Sequence, residues 1–283
     1  MNLYKIKNKV IKFIENIPLL QILIYNNLSK FKFLFPHDKD YLALNLLFNK
    51  YEKKDFVDIG GNIGLSTIGF RELGFKDNII HIFEPDKFLI TNYLLKIKKV
   101  YKKLKIYNFG LSSKNATKQL YKAYYKNKYF HFNNSFDKKY IKAKIRENYP
   151  HKYKEFKLKS ELLKLKKFDN LNLKIDPCFI KIDVEGFDHF VLKGMKKILN
   201  KYKPVLLIEY NHSNFKVIIE LTKKKYDCYR YKFETNSLIK LKKDEINKLL
   251  NGKVLERKYI KNSVNLFYIN KSFKFEKKKN LTI

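Results

Sequence analysis

The sequence has no tryptophan, two cysteines, and only 27 acidic residues against 62 lysines and arginines, a formal charge of +35. Two thiols, Cys178 and Cys228, build no disulfide framework and lack metal-ligand spacing, so both are expected as packed thiols in apolar strands. None of the six histidines falls in an H-x-x-x-H or similar pattern, which argues against a structural zinc. No apolar run reaches the roughly 20 residues that a spanning helix needs. The patch from Ile17 to Tyr25 is short, is broken by Pro18 and Gln21, and is followed by no small-residue cleavage site. A cytoplasmic protein is the expectation. Lys5, Lys7, Lys9 and Lys12 alternate with apolar residues, so the N-terminus is expected to pack on the main domain, with peripheral membrane contact as the alternative.

The shortage of acid invites a nucleic-acid reading, because a basic surface is the footprint of phosphate binding. Nearly all the cations are lysine, however, and Asn, Ile, Phe and Tyr are abundant, the pattern that AT-rich coding imposes on any protein. A reader of phosphates would use more arginine, whose planar fork binds them in bidentate fashion. Nucleic acid is therefore not an expected partner, whereas anionic small molecules or lipid surfaces are favoured at low salt. With 283 residues and a hydrophobic fraction of 45%, the chain can bury a core of one large domain or one and a half.

What is present is a strand that runs into a glycine loop and then a helix: Phe56-Val57-Asp58-Ile59-Gly60-Gly61-Asn62-Ile63-Gly64-Leu65-Ser66-Thr67. Glycines let the backbone turn sharply and approach a ligand, and the helix start offers free N–H groups. The pattern D-x-G-x-N-x-G lacks the G-x-G-x-x-G spacing of dinucleotide folds, so it leans from NAD towards S-adenosyl-L-methionine (SAM). A second apolar run, Asn78-Ile79-Ile80-His81-Ile82-Phe83, ends in Glu84 about 20 residues after the loop, where an acid can accept both ribose hydroxyls. Glu84 would otherwise simply open the following helix with Pro85 and Asp86.

Strands are predicted at Phe56 to Ile59, Ile79 to Phe83, Lys105 to Phe109, Phe179 to Ile182 and Val205 to Glu209, with helices between them, a doubly wound α/β pattern. A helical lead-in spans Asp38 to Tyr51. Phe187, Phe190, Val191, Gly194, Met195, Ile198 and Leu199 recur at helical spacing, as do Ile90, Leu94, Ile97, Tyr101 and Leu104. A helix from Asn214 to Lys225 is followed by strands at Asp227 to Lys232, Ser237 to Lys242 and Val264 to Ile269. The polar, tyrosine-rich segment from Ser112 to Asp176 is far longer than an ordinary connection, as lids and substrate-binding elements are.

The segment Phe179-Ile180-Lys181-Ile182-Asp183-Val184-Glu185-Gly186-Phe187-Asp188, then Val191-Leu192-Lys193-Gly194 and Lys203-Pro204-Val205-Leu206-Leu207-Ile208-Glu209, closely resembles the FkbM family of SAM-dependent methyltransferases. The family's DIGxNIG, FEP and NxGLS blocks are matched in order by Asp58 to Gly64, Phe83 to Pro85 and Asn108 to Ser112, while its TLDDL block is degenerate at Leu165 to Leu171. The matches cover roughly Asp55 to Asn211. The resemblance implies a class I methyltransferase (Rossmann-like) fold: a mostly parallel seven-stranded sheet with an antiparallel last strand and helices on both faces. It divides the chain into an N-terminal helical extension, 1–50, and a methyltransferase domain, 51–283, with an insertion at about 112–176.

The activity it implies is methyl transfer from SAM to a hydroxyl, commonly of a sugar or polyketide. On this reading Asp58 helps hold the methionine end, Gly60 and Gly64 give backbone proximity, Asn62 sits in the loop, Glu84 takes the ribose, and Leu111 borders the adenine. Asp183 points into the same crevice from the fourth strand. A hydroxyl needs its proton removed, so a base is expected, with Glu185 and His212 as candidates. Asp183, Glu185 and Glu209 have the oxygens that a hard cation takes, but no metal is assigned. The expected acceptor is a glycan or related polyhydroxylated molecule, anionic or lipid-linked ones included. The alternatives are a nucleic-acid methyltransferase and a non-catalytic membrane-surface binding protein that keeps the fold. Against the first, Asp183-Val184-Glu185-Gly186 stands where base methyltransferases carry an N/D-P-P-Y/F turn.

Overall fold

The computed structural model describes residues 18–28, 36–252, 265–275 and 281–282, so the N-terminal lysines from Lys5 to Lys12 lie outside the described residues. In chain order the strands are β1 (Asp55–Ile59), β2 (Ile80–Phe83), β3 (Leu104–Tyr107), β4 (Gly110–Ser112), β5 (Ala116–Tyr125), β6 (Lys128–Ser135), β7 (Phe156–Lys167), β8 (Pro177–Ile182), β9 (Val205–Glu209), β10 (Tyr226–Lys232), β11 (Ser237–Lys240), β12 (Asn265–Asn270) and β13 (Leu281–Thr282).

Nine of these form one sheet in the order β13-β11-β10-β12-β9-β8-β1-β2-β3. Neighbours from β9 to β3 are parallel, whereas β12 is antiparallel to both β9 and β10. The expected seven strands are therefore present. The antiparallel one is inserted between β9 and β10, and β11 and β13 extend the sheet beyond β10. Alternation along the central strands supplies two cores, as the period of two requires. Phe56, Ile80, Phe179, Val205, Leu207 and Phe267 face one side, and Val57, Ile59, Ile180, Ile182, Leu206 and Ile208 face the other. Strands buried on both faces explain the near-continuous apolar runs.

Two helical expectations are corrected. The lead-in from Asp38 to Tyr51 is shorter, a 3-10 turn Lys39–Ala43 and a helix Leu44–Leu47. It stops because Phe48 turns extended and carries its ring into the core, 5.8 Å from Phe56 and 6.1 Å from Phe179 between centroids. The stripe from Phe187 to Leu199 forms two helices, Asp188–Gly194 and Lys196–Tyr202. The break falls where Gly194 lies against the Ser112 carbonyl, so closely that a Cβ there would sit 2.0 Å from its oxygen.

The chain divides into two compact units, described residues of Met1–Leu34 with Thr117–Leu163, and of Phe35–Ala116 with Lys164–Ile283. The first holds the helix Pro18–Leu28, the antiparallel pair β5 and β6, and the helix Lys138–Asn148, around a core of Ile22, Ala123, Phe130, Ile141, Ile145 and Tyr149. The second holds the nine-stranded sheet and every candidate site residue.

Candidate cofactor and active site

The loop after β1 is shaped by main-chain contacts. Gly60 and Gly61 donate their N–H groups to the Phe83 carbonyl at 2.9 and 3.3 Å, which ties the loop to the end of β2. Gly60 has φ +86°, and a Cβ would lie 1.9 Å from the Asp183 carbonyl oxygen, so only glycine fits there. Asn62 is left-handed at φ +46° and donates its N–H to Glu84 Oε2 at 2.8 Å. Gly64, at φ +83°, then opens the helix Leu65–Glu72. The other oxygen of Glu84 accepts the Asp86 N–H at 2.9 Å. Burial pushes the Glu84 carboxyl up to about 7, against the pull of these two N–H groups.

Asp58 has no exposed surface. One of its oxygens accepts from Thr67 Oγ1 at 3.1 Å, and the other faces the Lys181 ammonium at 3.8 Å. Lys181 in turn donates to Asp183 Oδ2 at 2.9 Å. Burial raises the Asp58 carboxyl, with Lys181 opposing it. Burial draws the Lys181 ammonium down, but Asp183, Tyr41 and Asp58 outweigh it and hold the group well above its usual range. The 3-10 turn Lys39–Ala43 and the residues just before it add further polar groups: buried Tyr41 stands 5.4 Å from the His37 ring, and Asp38 and Asp40 both accept from the Asn265 amide.

At the ends of β8 and β9, carboxylate oxygens of Asp183, Glu185 and Glu209 lie within 4.8 Å of one another, each residue half-buried. Glu185 is left-handed at φ +51° and Gly186 follows at φ +86°, which turns the chain back beneath the cluster. Asp188 holds that turn: it accepts the Val184 N–H at 3.2 Å and the Asn214 amide at 2.8 Å. Burial and the charge of Asp183 push its carboxyl up to about 6.

His212 is not part of this cluster. Asn211 caps the helix His212–Thr222, and the His212 ring faces the Leu250 carbonyl at 3.2 Å and packs near Gly252. Leu111 is a buried core residue of β4, paired with Lys166. Reading the sequence alone passed over Lys181, Asp188, Asn214 and Tyr41. For Lys181 a signal existed: a lysine inside the apolar strand Phe179-Ile180-Lys181-Ile182.

The donor set suits SAM. The acid Glu84 ends β2 against the glycine loop, and acids beside a single lysine leave these strand ends net negative, which suits a cationic methyl donor. The model of the methyltransferase FkbM domain family matches residues 58–231. The chain belongs to that family. The cofactor that goes with this family is SAM. Similar solved structures include methyltransferase FkbM from Methylobacillus flagellatus KT, at 14% identity over 88% of this chain and 59% of that one, with TM-score 0.46. Another is the plantazolicin methyltransferase BpumL in complex with SAH, at 10% identity over 95% and 99% of the two chains, with TM-score 0.41. The chain thus spans 59% of the length of the first. No curated protein matches it. Among the described residues, no helix is long and apolar enough to cross a membrane.

Proposed function

We propose that this FkbM protein transfers the methyl group of SAM to a hydroxyl of a glycan or related polyhydroxylated molecule. The observation that carries the reading is the convergence of Asp183, Glu185 and Glu209 at the carboxyl ends of β8 and β9, in the crevice where open α/β sheets bind ligands. When bound, SAM supplies a methyl group on a sulfonium that is already an excellent leaving group. The protein's tasks are then alignment, exclusion of water and deprotonation of the acceptor. Glu84, one oxygen of which is fixed by the Asn62 N–H, holds the ribose hydroxyls, and the glycine backbone admits the donor. Glu185 takes the hydroxyl proton on a carboxylate oxygen, Glu209 accepts a hydrogen bond from a neighbouring hydroxyl, and Asp183 faces the donor.

The same acids disfavour a nucleic-acid acceptor, since three carboxylates at the reacting end repel a phosphodiester. The lysine-rich surface suits an anionic or lipid-linked carrier whose hydroxylated part reaches the acids. Incubating the protein with methyl-labelled SAM and separate glycan and RNA pools tests this. Label is expected in the glycan fraction, and label in RNA rejects the reading. Glu185→Gln should slow transfer by about 10² to 10⁴-fold, the usual contribution of a positioned base, with SAM affinity little changed.

A further inference from the structure

Lys181 is 3% exposed in a strand whose other inward positions, Phe179, Ile180 and Ile182, are fully buried and apolar. Placing an ammonium there is costly, and replacing a buried ion pair by packed apolar side chains is often neutral or stabilising. Stability therefore does not account for it. What the ammonium does is geometric and electrostatic. Register places it beside Asp58 on the neighbouring strand, and its Nζ lies 3.8 Å from Asp58 Oδ1 and 2.9 Å from Asp183 Oδ2. Thr67 holds Asp58 from one side, and buried Tyr41 is close enough for its phenol to feel the same three charges.

We propose that Lys181 is a positioning residue of the donor site: it pins Asp183 and cancels one of two carboxylates, so that the crevice holds a sulfonium without over-stabilising it. The inference rests on the reading of Asp183 as a cofactor-side group. Methyl transfer discharges the sulfonium, so negative charge in excess of what binding needs stabilises the donor more than the transition state. Asp58, Asp183 and Lys181 sum to a single negative charge. Without Lys181 the sum would be two.

The test is the ratio of affinities for cationic SAM and neutral S-adenosylhomocysteine, measured by calorimetry on the full chain. Lys181→Met should shift this ratio towards SAM by about tenfold, the scale of one unit charge several ångströms away in a partly screened site. Lys181→Arg should keep the wild-type ratio. The double variant Asp58→Asn with Lys181→Met removes one charge of each sign and should restore the ratio to within about threefold. Should Lys181→Met fail to fold, Asp58→Asn alone carries the test, because removing one carboxylate must move the ratio the opposite way. A folded Lys181→Met or Asp58→Asn protein with an unmoved ratio overturns the proposal. Absence of SAM binding by the wild type would instead overturn the assignment of the crevice itself.

Discussion

At the ends of β1 and β2 the crevice is formed by main-chain groups: Gly60 and Gly61 bonded to the Phe83 carbonyl, the Asn62 N–H on Glu84, and a helix opened by Gly64. At the ends of β8 and β9 it is formed by side-chain charge, with Asp183, Glu185 and Glu209 converging and Lys181 inserted between Asp58 and Asp183. The contrast separates two jobs. Main-chain geometry fixes where a ligand can sit and tolerates no added atom. Side-chain charge decides what reacts there, and it can be altered one group at a time.

The backbone side should therefore fail most severely when an atom is added. Gly60→Ala forces a Cβ into the Asp183 carbonyl at a left-handed φ, and should destabilise the protein by about 2 to 4 kcal/mol and abolish SAM binding. Chemical denaturation and calorimetry check it, and a well-bound, stable variant would break the comparison.

Next in size is Glu84→Ala, which removes a charged hydrogen-bond partner and should weaken SAM binding by about 1.5 to 3 kcal/mol. Glu84 also predicts a pH dependence. Burial raises its carboxyl from the ordinary 4.5 to about 7 in the folded protein. Between those values the folded chain keeps a proton that the unfolded chain releases. Its contribution to stability is thus complete below pH 4.5 and is lost as pH rises through about 7. Ribose hydroxyls prefer the ionised carboxylate, so SAM affinity should rise several-fold from about pH 6 to about pH 8. A flat profile by calorimetry would remove Glu84 from the ribose site.

The smallest effect is expected at His212, whose ring faces the Leu250 carbonyl at 3.2 Å. His212→Ala should change SAM affinity and methyl transfer by less than about threefold, as substitutions outside a site usually do. A large loss of transfer would instead support His212 as the base.

The same contrast explains what could be read from the sequence. Asp58 to Gly64 is one contiguous stretch, and Glu84 follows at a fixed separation, so the glycine loop and the strands β1, β2, β3, β8 and β9 were legible as pattern. Phe56 to Ile59 and Val205 to Glu209 are buried on both faces and read accordingly. Features created by close approach of distant residues were not legible. The helix break at Met195 depends on Gly194 meeting the Ser112 carbonyl, and the shortened lead-in depends on Phe48 reaching Phe56 and Phe179. The ion group of Asp58, Lys181 and Asp183 required knowing that β1 and β8 are neighbours with Asp58 beside Lys181. His212 follows β9 closely in sequence, and the contact of its ring with the Leu250 carbonyl joins residues 38 apart, which no local pattern shows.

The most direct test is a crystal structure with S-adenosylhomocysteine. The account predicts the ribose at Glu84, with the sulfur end directed towards Asp183 and Glu185. A nucleoside bound elsewhere, with the 60–64 loop filled by side chains, would contradict it.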